Sequence, residues 1–88
     1  MPRITNEERV RFHKILDDSI DKMNSPKNSG KIHWSKVHNR DIQKMINIEN
    51  AELDYACFSN ARPEEIESEN FDLINLNMMM ADNLRENR

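Results

Sequence analysis

Two acidic pairs, Glu49-x-x-Glu52 and Glu69-x-x-Asp72, stand 16 residues apart in the second half of the chain. Carboxylates three apart are neighbours on a helix. On a helical wheel at about 100° per residue, Ile42, Met45, Ile46, Leu53 and Ala56 mark one apolar face. Glu49 falls in its middle, and Glu52 lies at its edge beside Met45. In the next segment Ile66, Leu73, Leu76, Met80 and Leu84 mark a face with Glu69 inside it and Asp72 at its edge. Burying an unpaired carboxylate costs several kcal/mol or forces protonation, and four together repel one another. A divalent cation removes both penalties. All-oxygen ligands suit Mg²⁺ or Mn²⁺, which keep waters for substrate phosphates. The competing account is four boundary residues reaching solvent, paired with Lys44 or Arg62. Two pairs on the apolar sides of consecutive helices favour the cation.

The elements that must position these acids are helical. One Gly in 88 residues argues against an all-β fold with its many tight turns. Thr5 and Glu8 have capping-box spacing, so a first helix starts after Thr5. Phe12, Ile15, Leu16, Ile20 and Met23 give it one apolar stripe, and it stops near Asn24-Ser25-Pro26. Residues 24–38 read as an irregular loop holding the only Gly and the only Trp. A second helix is expected from about Arg40 to Phe58. A third starts after Ala61-Arg62-Pro63, with Glu64 and Glu65 at its positive end, and runs to about Leu84. The short turn between them implies an antiparallel hairpin. The chain thus reads as a single domain over 1–88: an N-terminal helix within 1–23, a loop over 24–38, a helical hairpin over 39–84 and a frayed tail over 85–88.

Composition narrows the function classes. Hydrophobic residues are 36% and charged residues 33%, a thin supply for a core in so short a chain. One Cys excludes a disulfide framework and a cysteine zinc cage. No apolar run is long enough to span a membrane, and the N-terminus has no signal-peptide h-region, so the expected compartment is cytoplasm. Residues 1–44 hold 10 basic and 6 acidic side chains, and residues 45–88 hold 3 and 10. The acidic half suits a cation and repels nucleic acid, which is not expected as a partner.

The paired acidic motif resembles that of the MazG-like nucleoside triphosphate pyrophosphohydrolases, an all-α superfamily that includes the dimeric dUTPases. Lys31-Ile32-His33-Trp34, Glu49-Asn50-Ala51-Glu52-Leu53, and Glu69-Asn70-Phe71-Asp72-Leu73-Ile74-Asn75 followed by Met78-Met79-Met80-Ala81-Asp82 are similar to short phage and bacterial members. The resemblance covers residues 31–84. It implies that Glu49, Glu52, Glu69 and Asp72 hold Mg²⁺ (or Mn²⁺), with one of them also serving as general base. The reaction it implies is Mg²⁺-dependent hydrolysis of a (d)NTP or modified nucleotide to the monophosphate and pyrophosphate. Trp34 is then the candidate to stack on the base, with His33 nearby and Asn75 toward sugar or base. Larger members carry a fourth helix after the second acidic motif, and its phosphate-binding basic residues have no counterpart here except Arg85 and Arg88. The alternative is a catalytically weak or inactive relative that binds a nucleotide or a protein partner as a regulator, possibly phage-encoded, in a bacterial or host cytoplasm.

The remaining residues carry less. Trp34 serves equally well as a plug over the core. His33 and His38 fit plain loop histidines, and without a His-x-x-x-His or Glu-x-x-His pattern there is no zinc or di-iron signature. Cys57 reads as a small buried residue. The third helix has a second apolar stripe, Phe71, Ile74, Met78 and Ala81, across the wheel from the first. With only three helices, its expected partner is another copy, in a homodimer or homotetramer. The fold class expected is therefore all-α: a small MazG-like helical bundle completed by oligomerisation.

Overall fold

A computed structural model describes all 88 residues. It is all-helical: α1 (Asn6–Met23), α2 (Asn39–Phe58) and α3 (Pro63–Arg85), with single 3₁₀ turns at Pro26–Asn28 and Trp34–Lys36. No helix is long and apolar enough to cross a membrane.

Each helix starts where its local chemistry dictates. Thr5 Oγ1 accepts from the Glu8 amide at 3.1 Å, and the Glu8 carboxylate accepts from the Thr5 amide at 2.8 Å, a complete capping box. His38 Nδ1 accepts from the Arg40 amide at 3.0 Å and caps α2. Pro63 opens α3, followed by Glu64 and Glu65 in the first turn. Both later helices stop on an asparagine. Asn60 takes φ 59° and Asn87 takes φ 57°. Beyond them the Ala61 amide returns to the Ala56 carbonyl at 3.4 Å, and the Arg88 amide to the Asn83 carbonyl at 2.8 Å. This is the Schellman closure, with Asn in the left-handed position that glycine usually takes. Residues 86–88 thus close α3 through their backbone. Arg88 Nη1 also donates to Asp82 at 2.9 Å and to Asn83 at 3.1 Å.

α3 is the central helix. It packs antiparallel against α2 and also against α1. Two of its sides are thus occupied within the chain; of its second apolar stripe, Phe71, Ile74 and Met78 are half-buried and Ala81 is exposed. Asn75 Nδ2 donates to the Ser19 carbonyl at 2.9 Å, and Lys22 Nζ donates to Ser68, so α1 is held through its last turns. The rest of α1 stands away from the bundle. Of its expected stripe, Leu16 and Met23 are half-buried, whereas Phe12, Ile15 and Ile20 are exposed.

The buried apolar core is Ile42, Ile46 and Ala56 alone, with Ser19, Asn75 and Asn83 buried among the polar residues. Cys57, expected inside, is exposed. Of residues 55–58 only Ala56 is buried.

Candidate metal and nucleotide site

Glu49 lies on the α3-facing side of α2, a turn beyond the buried Ile46. Glu69 and Asp72 lie one turn apart on α3. The antiparallel hairpin brings them together: one oxygen from each of Glu49, Glu69 and Asp72 lies within 4.8 Å of the other two. Glu52, the fourth acid, is exposed and stands outside this group. Its charge still reaches Glu49.

The group is electrostatically loaded. Burial, above all, pushes the Glu49 carboxyl up to about 7, helped by a shared hydrogen bond with Glu69 and the charges of Asp72, Glu52 and Glu69. No hydrogen-bond donor of any other residue reaches Glu49 Oε2 or Glu69 Oε2, both of which are buried. A buried carboxylate oxygen with no donor is costly, and a shared proton or a cation relieves it. Mg²⁺ holds oxygens at about 2.1 Å, so opposite ligands are about 4.2 Å apart. Adjacent ligands are about 3 Å apart, so the three oxygens, within 4.8 Å of one another, must draw closer to share one ion. The donor set fits a hard divalent cation.

One resident charge already sits there. Lys22 Nζ is 2.7 Å from Asp72 Oδ1, 2.7 Å from Ser68 Oγ and 2.8 Å from the Ser68 carbonyl. Three acceptors match the three donors of an ammonium, so Lys22 is saturated. Sequence spacing missed Lys22 because it comes from α1, 46 residues from Ser68. A periodic pattern says nothing about which helix crosses which.

Glu49 and Asp72 open into a groove of about 960 Å³ between the 24–34 loop and the α2–α3 hairpin. Its wall includes Lys22, Lys27, Lys31, His33, Trp34 and Asn75, over a floor containing Ile42, Met45, Leu76 and Met79. Glu52 and Glu69 face a second groove of about 690 Å³, beside Ile48, Tyr55 and Ser68. The four acids therefore straddle a ridge between two grooves.

The three expected substrate residues all line the larger groove. Trp34 is half-buried; its Nε1 donates to Asp82 Oδ2 at 2.8 Å. That bond, followed by Arg88, holds the Asp82 carboxyl below the usual carboxylate range. The fully buried Asn83 donates to the Trp34 carbonyl at 3.1 Å and to Asn39 Oδ1 at 3.0 Å. The loop is thus tied to α3 at the indole and at the backbone. His33 stacks on Trp34 with centroids 3.8 Å apart. Its Nδ1 accepts from the Ser35 amide at 3.1 Å, which puts the neutral ring's proton on Nε2. Asn75 is only 5% exposed and spends its Nδ2 on Ser19, while its Oδ1 is buried and unpartnered.

Comparison with protein-family models, with curated proteins and with solved structures found no match to this chain.

Proposed function

We propose that the chain is a Mg²⁺-dependent nucleotide pyrophosphohydrolase, as its resemblance to the MazG-like enzymes implies. One observation carries the reading: three carboxylates from two helices converge at the edge of a groove that also holds an aromatic pair. Glu49, Glu69 and Asp72 would hold the cation, whose chemistry is to neutralise phosphoryl charge and acidify a bound water. Trp34, stacked with His33, offers a flat wall for a base. In hydrolysis the water oxygen adds to phosphorus, the bridge between the α- and β-phosphates breaks, and pyrophosphate leaves with the electron pair. The water proton needs an acceptor. Glu52, exposed one turn from Glu49, is the acid left free for that role.

The test is pyrophosphate release from a panel of (d)NTPs and modified nucleotides with Mg²⁺ or Mn²⁺. Glu49→Gln and Asp72→Asn are expected to lower the rate by more than about a hundredfold, because each removes a cation ligand. Wild-type rates in both variants would refute the assignment.

A second reading is nucleotide binding without turnover, and the Lys22–Asp72 contact favours it. An ammonium at 2.7 Å already neutralises one of the three acids. Saturable nucleotide binding with no product formed would establish this reading instead.

We also propose that the chain works as a homo-oligomer. Large apolar side chains remain exposed on α1 and α2, among them Val10, Phe12, Ile48, Tyr55 and Phe58.

A further inference from the structure

The larger groove carries both signs of charge. Glu49 and Asp72 lie on the helical hairpin, and Lys22, Lys27 and Lys31 come from the end of α1 and the loop after it. The three lysines are not equivalent. Lys22 has spent its donors on Ser68 and Asp72. Lys27 and Lys31 are exposed, and neither side chain has an ion pair or hydrogen bond within the chain.

Their position is nevertheless fixed from the backbone side. Asn28 Nδ2 donates to the carbonyls of Lys22 and Met23, each at 3.1 Å, and so staples the loop to the end of α1. Lys27 sits in the 3₁₀ turn Pro26–Asn28, and the Lys31 amide returns to the Asn28 carbonyl at 3.3 Å. Gly30 takes φ 93°, a backbone state that a side chain would strain. A few residues downstream, Trp34 is tied to Asp82. The segment bearing the two free ammoniums is thus anchored at both ends and held along one groove wall.

A ligand that satisfies this groove must bring cations to the carboxylates and anions to the lysines. A simple anion is repelled by the acids, and a bare cation leaves the lysines unanswered. A polyphosphate chelating a divalent cation answers both. We propose that Lys27 and Lys31 form a polyphosphate-binding subsite, holding the phosphates of a ligand whose cation sits at Glu49, Glu69 and Asp72. The subsite takes its chemistry from the pyrophosphohydrolase reading and gives that reading its missing phosphate contacts.

The probe is inorganic tripolyphosphate with Mg²⁺, titrated calorimetrically into the full chain. The variants are Lys27→Gln/Lys31→Gln and, as a charge-matched control, Arg9→Gln/Arg11→Gln on exposed positions outside the groove. The lysine variant is expected to bind at least about tenfold more weakly, since it loses two charge-assisted contacts. The control is expected to bind like wild type, and circular dichroism should show both variants equally helical. Unchanged binding in the lysine variant, an equal loss in the control, or no binding to wild type would each overturn the subsite. Nucleotide hydrolysis separates the two readings. If tripolyphosphate binding depends on Lys27 and Lys31 but no nucleotide is hydrolysed, the subsite stands and the hydrolase reading falls. If hydrolysis proceeds with KM unchanged in the lysine variant, the hydrolase reading stands and the subsite falls.

Discussion

Glu49 carries the site's electrostatic tension, and its titration can be read in stability. Its carboxyl is raised from the ordinary value of 4.5 to about 7, chiefly by burial. A raised acid binds its proton more tightly folded than unfolded. Its contribution is fully present below pH 4.5 and is lost as pH rises through about 7. Asp82 and Glu8 are shifted the other way, so their contributions fade only as pH falls into the acid range. The metal-free protein is therefore expected to melt at lower temperature at pH 8 than at pH 5.5. Mg²⁺ should reverse the loss at pH 8 by taking the proton's place. Glu49→Gln should melt higher than wild type at pH 8 and show a flatter profile between pH 5 and 8. Thermal melts over that range, with and without Mg²⁺, decide this. A flat wild-type profile would remove the tension inferred for Glu49. The core offers a second check. Ile42 is fully buried, and Ile42→Ala is expected to cost about 2–5 kcal/mol in denaturant unfolding. In so thin a core that is enough to unfold much of the population.

At the scale of elements, the boundaries follow from chemistry written locally. The capping box at Thr5 and Glu8 and the proline at Pro63 mark helix starts that are legible in the sequence, and α1 and α3 begin there. The wheels also placed Glu49 and Glu69 on facing sides of one hairpin, and those two acids meet. What the wheels could not give is the order of packing. A stripe records that a face is apolar, not which helix covers it. Hence the stripes did not reveal that α3 lies in the middle, with α1 and α2 both against it. For the same reason Lys22 stayed hidden. The helix ends fall within a residue of the expected Phe58 and Leu84, but the left-handed Asn state that closes them leaves little trace in composition. That state can be tested at Asn60, where φ is 59°. Asn60→Gly keeps the Schellman closure and is expected to leave the melting temperature within a few degrees of wild type. Asn60→Ala forces a Cβ into that conformation without the local hydrogen bonding open to Asn. It is expected to cost about 1 kcal/mol, or about 4–8 °C in a domain this size. Equal melting of the two variants would show that the turn does not adopt this backbone.

For the whole molecule, area is the governing quantity. A monomer of 10.5 kDa is expected to expose about 5,400 Å², and this chain exposes 7166 Å². Its radius of gyration is 14.3 Å, against about 12 Å for a compact domain of this length. The excess, roughly 1,700 Å², is of the order that one chain buries in an obligate homodimer. The apolar residues that make up this surface are patterned. Ile48, Ala51, Tyr55 and Phe58 follow one another at helical spacing along the outside of α2, all exposed. That stripe runs beside Glu52 and the smaller groove. A second copy docked there would complete the core and close one flank of the acidic ridge. Sedimentation equilibrium is expected to give at least twice the chain mass, and the melting temperature should rise with protein concentration. Tyr55→Lys/Phe58→Lys should shift the mass to that of the monomer and abolish the concentration dependence. Neither side chain belongs to the buried core, so the variant leaves Ile42 and Ile46 in place. A wild-type chain that is monomeric, with a melting temperature independent of concentration, would mean that this surface is simply solvated.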